Sequence, residues 1–216
     1  MAGSGEGFPR RQILGAGLAA GAGLAAGSTA MAATPEEARI DADEVIRLLD
    51  LQPNATCGFV RVTFSSPLDI APGGLPAPFA NGRPLGSALY FLVTPTAPVR
   101  PHRIRNDQLY HFYLGDPLEV FLLHEDGSAE RVVVGSDIRA GQRVQLHIPG
   151  NTFHTARLLG DGAWFLGGST EWPGVVPAED VEIGDVDALA ASHPSVAADI
   201  REIAASVRDV PAGGPR

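Results

Sequence analysis

The chain of 216 residues contains one cysteine, Cys57. A single thiol excludes an intramolecular disulfide and any zinc site built from cysteines. Nothing in the sequence marks an activating partner for it, so Cys57 reads as a small apolar residue of the interior. Aromatic residues make up only 6% of the chain. No Arg-rich block or basic-aromatic stripe occurs, which argues against a nucleic-acid partner. There is no Gly-x-Ser-x-Gly elbow and no phosphate-binding glycine loop, so neither a serine hydrolase nor a nucleotide cofactor is supported. The uncharged Ala/Gly/Leu run from Ile13 to Ala26 falls short of the roughly 20 apolar residues of a spanning helix.

What is present describes an ordinary globular protein, 44% hydrophobic and 19% charged. The formal net charge of −9 is spread along the chain, and an acidic surface of this kind bears on solubility more than on partners. Twenty-six glycines and 18 prolines indicate many turns and short strands rather than long helices.

Residues 1–33 read as an export signal. Arg10-Arg11 precedes the Ala/Gly/Leu run, and Ala30-Met31-Ala32 supplies the small residues a signal peptidase prefers. The paired arginines followed by Ile13-Leu14 look like a twin-arginine signal, although Pro9 stands where Ser or Thr is common. The expectation is a periplasmic or extracellular protein, without stable membrane insertion once the signal is removed. One domain is expected over 34–208, with 209–216 as a frayed tail.

Periodicity predicts a short helix over Ala42–Leu51 with Asp41 and Asp43 near its start. Phe59–Phe64 alternates as a strand. Ser66–Leu85 has no periodicity and reads as a long loop. Short strands then recur over Ala88–Thr94, Leu109–Tyr113, Leu118–His124, Ala129–Val134, Arg143–Ile148, Thr155–Leu159 and Ala163–Ser169, with turns at Glu125-Asp-Gly127 and Gly160-Asp-Gly162. This spacing describes an antiparallel sandwich or barrel. Glu171-Trp-Pro-Gly-Val reads as a loop, and Val186–Leu189 with Val196–Ala205 as a helical cap.

Several short motifs stand in a specific order: Leu48-Leu49-Asp-Leu-Gln-Pro53, Gly58-Phe-Val-Arg61, Ala88-Leu-Tyr-Phe-Leu-Val93, His102-Arg103, Asp107-Gln-Leu-Tyr-His-Phe-Tyr-Leu-Gly-Asp-Pro-Leu-Glu119, Gln145-Leu-His-Ile-Pro-Gly150, Trp172-Pro-Gly174 and His193-Pro194 with Ile200-Arg201. Together they resemble the DUF985 (Cupin_5) family of the cupin superfamily, over about Ala42 to Ala205. The resemblance implies an all-β fold, a double-stranded β-helix or cupin jelly-roll barrel, with a short N-terminal helix and a C-terminal helical cap. It also implies a homodimer and a small-molecule ligand inside the barrel.

In metal-binding cupins the first motif supplies two histidines and a glutamate, and the second one more histidine. By that resemblance His102, Gln108 and His154 occupy ligand positions, while Ile104 stands where the second histidine would be. A divalent metal (Zn, Fe, Mn or Ni) is therefore one reading, held by an incomplete and uncharged set. Metal-assisted lyase, isomerase or oxygenase chemistry would follow from it. Sugar epimerases on this barrel use a histidine base and a tyrosine acid, and His102 or His154 with Tyr110 or Tyr90 could supply that pair. A non-catalytic binding protein is the third reading, its barrel lined by Phe112, Tyr110, Trp164 and Phe91.

Strand alternation puts Gln108, Tyr110 and Phe112 on one face and His111 on the other. Gln145 and His147 share a face, expected to point inward. Arg61 and Arg103 are candidates to hold an anionic ligand.

Overall fold

The computed structural model describes residues 40–208. The expected export signal and the C-terminal tail lie outside the described residues. Helix α1 (Ala42–Leu49) begins where Asp41 accepts the Glu44 backbone N–H at 2.8 Å. It ends two residues before the expected boundary, because Asp50 takes the left-handed conformation (φ 52°) and its N–H turns back to the helix carbonyls.

Thirteen strands are found among the described residues: β1 (Gln52–Pro53), β2 (Phe59–Ser65), β3 (Asp69–Ile70), β4 (Arg83–Pro84), β5 (Ser87–Val93), β6 (Val99–Ile104), β7 (Asp107–Gly115), β8 (Leu118–Leu123), β9 (Ala129–Val134), β10 (Gln145–Ile148), β11 (Phe153–Leu158), β12 (Phe165–Trp172) and β13 (Val181–Ile183). Helices α2 (Pro177–Asp180), α3 (Val186–Ser192) and α4 (Ala197–Ser206) accompany the last strand. One antiparallel sheet runs β1-β2-β5-β12-β7-β10, and the facing one β13-β6-β11-β8-β9. The fold is an all-β double-stranded β-helix with a short N-terminal helix and a helical C-terminal cap.

Alternation along the strands sends side chains into three packed layers. Between the sheets lie Phe91, Val93, Tyr110, Val120, Leu122, Ile148, Ala156 and Phe165 with their neighbours. On the outer face of β8, Phe121 and Leu123 pack against Leu189, Ile200 and Ile203 of the cap, so β8 is buried on both sides. Trp164 belongs to neither the barrel interior nor a ligand wall. It packs with Val45, Leu51, Leu92 and Leu166 beneath α1, and its indole N–H donates to the Ile40 carbonyl at 3.0 Å. Each such buried aliphatic or aromatic side chain contributes about 1.5–3 kcal/mol.

Three stretches depart from the sequence-based expectation. β6 is a strand, although its Arg-Pro-His-Arg composition has no apolar alternation; it is built by pairing with β11 and β13. The loop 66–85 is not wholly irregular, since Asp69–Ile70 pairs with Arg83–Pro84. Glu171 and Trp172 belong to β12, where Glu171 pairs with Gln108.

The loop is also anchored. Arg83, 3% exposed, makes two hydrogen bonds to Asp180, Nε–Oδ2 at 3.0 Å and Nη2–Oδ1 at 2.8 Å. Asp180 Oδ2 in turn accepts the Val176 N–H at 2.8 Å. The clamp ties the segment containing Val175, Pro177 and Val181 to β4. Asp180→Ala leaves the buried guanidinium with only the half-exposed Glu179 carboxylate, at 2.9 Å, and urea unfolding should show a loss of about 3 kcal/mol. A loss below about 1 kcal/mol would show that the pair does not hold this wall.

Candidate functional site

A cavity of about 360 Å³ opens between the sheets near β2, β5 and β13. Its apolar wall includes Val60, Val62, Leu89, Phe91, Ile104 and Val181; its polar groups include Cys57, Ser87, His102, Gln108, Tyr110, Ser169 and Glu171, with Asn54, Thr56 and Ser65 beside them. Register explains which side chains meet there. On adjacent strands, directly opposed residues point to the same face. Glu171 faces Gln108 and Ser169 faces Tyr110 across β12 and β7, so all four look into the interior. Gly58, at φ 63°, sits where a Cβ would lie 2.4 Å from the Leu92 carbonyl oxygen; only glycine allows the turn that delivers Cys57 to the cavity.

The hydrogen-bond partners fix the protons. His154 Nδ1 contacts the Thr152 carbonyl at 3.2 Å, and a carbonyl only accepts, so Nδ1 carries the proton. Burial holds the ring neutral by desolvation, its pKa well below the ordinary 6.5, with the neighbouring His102 adding to the effect. Nε2 is then a lone pair, and the Tyr110 hydroxyl donates to it at 3.0 Å. His102 follows the same logic. Its Nδ1–H donates to the Arg100 carbonyl at 2.8 Å, and desolvation brings its pKa down to about 4. His102 Nε2 therefore presents a lone pair, with the Cys57 sulfur 3.8 Å away. The two rings can lie 4.3 Å apart because neither is charged.

Burial pushes the Cys57 thiol up to about 11 and the Tyr110 phenol well above 10. Glu171, 3% exposed, accepts the Ser87 hydroxyl at 2.6 Å. Desolvation raises its pKa, opposed by hydrogen bonds from Ser169 and Ser87.

The expected site residues divide sharply. His102, Gln108 and Tyr110 line the cavity; His154 stands behind them, fully buried against Tyr110 and His102. Gln145 and His147 do not point inward. On β10 they oppose His111 and Leu109, the outer face of β7, while Leu146 and Ile148 oppose Tyr110 and Gln108. Both are exposed: Gln145 contacts His111 Nδ1 at 3.2 Å, and His147 lies 3.6 Å from Asp107. Phe112 faces the interior but packs on Phe165 in the core, beyond the cavity wall. Arg61 points outward and donates to the Leu49 carbonyl at 3.0 Å, closing the end of α1. Arg103 pairs with Glu182 at 2.7 Å. Tyr90 lies against Tyr113 outside the cavity.

The anion anchors expected from the sequence are thus absent from the cavity. No arginine lines it, and the chain contains no lysine. Glu171 and Ser169 are the site residues that sequence reasoning missed. The signal was there, since Phe165, Gly167, Ser169 and Glu171 continue one alternating face, but Pro173 suggested an earlier end to the strand.

The residues expected to hold a metal do not fit one in this arrangement. The His154 Nε2 lone pair takes the Tyr110 proton, Gln108 Oε1, which accepts from Ser169 at 3.4 Å, is neutral, and His102 Nε2 is the one ligand nitrogen of the expected set left free of a hydroxyl. Among the described residues no three His, Cys, Asp or Glu side chains form a metal-holding group.

Residues 43–182 match the profile of the family described as Cupin superfamily (DUF985). Among solved structures, the chain is similar to a protein from Shewanella oneidensis, with 26% identity, TM-score 0.67, and coverage of 78% of this chain and 98% of that one. It is also similar to a hypothetical protein from Leishmania major, with 23% identity, TM-score 0.67, and coverage of 76% and 98%. No curated protein matches it. Among the described residues, no helix is long and apolar enough to cross a membrane.

The buried neutral histidines set a pH dependence of stability. The unfolded chain binds protons at each near pH 6.5, whereas folded His102 does so only near 4. Their stability contribution is therefore complete above about pH 6.5 and lost as the pH falls toward 4, on the order of 3 kcal/mol for His102. Glu171 acts in the opposite sense, its raised pKa favouring the folded state at low pH. Urea unfolding from about pH 7.5 down to about 4.5 should show falling stability below 6.5. A flat profile, with the His102→Gln variant equally flat, would contradict the neutral assignment.

Proposed function

The chain belongs to the DUF985 family of the cupin superfamily, and from that premise we propose that it binds a small organic molecule in its barrel, without a metal. The observation that carries this reading is the cavity itself, about 360 Å³ and mostly apolar, with His102, Gln108, Tyr110 and Glu171 gathered at its polar side. Sites of this kind bury a ligand's apolar body and use a few polar groups to orient it. Binding, rather than chemistry, is the function the arrangement supports best. Tyr110 directs its proton to His154, away from the cavity, and so does not offer the tyrosine acid that an epimerase-type mechanism requires.

The missing cationic wall residues bear on the ligand class. A carboxylate or phosphate entering this cavity would lose its hydration beside Glu171 and find no guanidinium or ammonium in return. Nucleotide-sugar and simple organic-acid ligands are disfavoured on that ground.

Protein purified without chelator or metal-affinity resin should release a small organic molecule on denaturation, detected by mass spectrometry. Val60→Trp, which fills the cavity from β2, should abolish that release while the β-rich circular dichroism persists. A stoichiometric metal in the purified protein, lost in His102→Ala, would instead overturn the metal-free reading.

We further propose that the chain forms a homodimer through β2. Beyond Val60 the outer edge of β2 has no strand partner among the described residues. Val62 and Phe64 on it are 63% and 53% exposed, near Leu68 and Leu85 in the adjoining segment at 65% and 50%. An unpaired apolar edge of this kind is a template for another chain. Light scattering at micromolar concentration should give twice the chain mass, and Phe64→Lys should shift it toward the monomer. A wild-type monomer would refute the assignment.

A further inference from the structure

One polar group in the cavity has no electrostatic counterpart. Glu171 is nearly inaccessible to solvent, and the groups that hydrogen-bond it are the neutral hydroxyls of Ser87, at 2.6 Å, and Ser169. Among the described residues no arginine reaches it: Arg83 is paired with Asp180, Arg103 with Glu182, and Arg157 with Glu119 and Asp199. A buried carboxylate without a counter-ion is costly in a low-dielectric site.

The other polar groups lean the same way. His102 Nε2 and the Tyr110 oxygen both present lone pairs, because their protons are directed to the Arg100 carbonyl and to His154. The Ser87 hydroxyl is directed to Glu171, and the Ser169 hydroxyl is shared between Gln108 and Glu171. Among the buried groups the donors that remain are the weak Cys57 thiol and the Gln108 amide, while the Asn54 amide and Ser65 hydroxyl line the less buried part of the wall. The buried polar side of the cavity thus has a surplus of acceptors and one uncompensated acid. Phe91 and Tyr110, packed with ring centroids 4.7 Å apart, line the same cavity.

We propose that the ligand of this cavity is a small protonated organic amine, its ammonium group held by Glu171 and its apolar body seated against Val60, Leu89 and Phe91. This rests on the cavity being a small-molecule site and goes further by naming the class. An ammonium brings both the positive charge that Glu171 lacks and the N–H donors that the lone pairs of His102 and Tyr110 can receive. A neutral alcohol supplies one donor and no charge; a carboxylate supplies neither.

The test compares amines from benzylamine to tryptamine with their alcohol and carboxylate isosteres, by calorimetry on the full chain. At least one amine should bind roughly tenfold or more tightly than its alcohol, a difference of ~1.4 kcal/mol. The matching carboxylate should bind most weakly. Glu171→Gln, which keeps size and hydrogen bonding but removes the charge, should erase the preference for the amine. If that variant does not fold, the order of affinities in the unaltered protein decides alone. Alcohols binding as tightly as amines would overturn the amine assignment and leave the small-molecule site standing. Binding of none of the three classes would overturn both. A preference for the amine that survives in Glu171→Gln would overturn the role of Glu171.

Discussion

The hydrogen bond from the Tyr110 hydroxyl to His154 Nε2 joins the two sheets across the interior, from β7 to β11. Much of the cavity's character depends on it. It requires His154 to be neutral with its proton on Nδ1, and it turns the phenolic oxygen into an acceptor. It also occupies the nitrogen that a metal would need. Because the bond is inaccessible to water, neither partner can be removed without leaving the other unsatisfied in a low-dielectric interior. The cavity's polarity is thus set by a contact that lies just behind its wall.

Desolvation is the common cause of what surrounds that bond. It keeps His102 and His154 uncharged and holds the protons on Cys57 and Tyr110; on Glu171 it favours the protonated form. These are not independent coincidences, since every one of these groups is held out of water between the same two sheets. The arrangement gives a cavity with no fixed positive charge. It differs in that respect from a site built to grip phosphates or carboxylates, where arginine forks are the usual device.

The walls depend on two ties remote from the polar groups. The Arg83–Asp180 pair fixes the segment carrying Val175, Pro177 and Val181 against the otherwise irregular stretch between β2 and β5. On the far side, Glu119, Arg157, Arg131 and Asp199 form a charged lattice that seats α4 on the outer face of the β8 sheet. Phe121 beneath the two arginines adds a cation–π contact to each. The cap thereby leaves the inner face of β8 free to serve the core, while the cavity opens at the opposite part of the sandwich.

Most of the core strands (β6 excepted), the turns, the capped first helix and the resemblance to the family were legible along the sequence, because propensity, capping and turn chemistry act between residues close in the chain. That Gln108 and Tyr110 share one face followed from simple alternation as well. Alternation says which residues share a face, however, and not which face is inside. For Gln145 and His147 that choice was made by the pairing of β10 with β7, which sends Leu146 and Ile148 inward. Glu171 became a site residue only when β12 continued past the point where its proline suggested a loop. The incompleteness of the metal set was visible in Ile104 and Gln108, but the occupation of His154 by Tyr110 was not. Residue types and local periods determine elements; the protonation of a histidine and the solitude of a carboxylate depend on neighbours that are 44 and 84 positions away, and these only the folded sheets bring together.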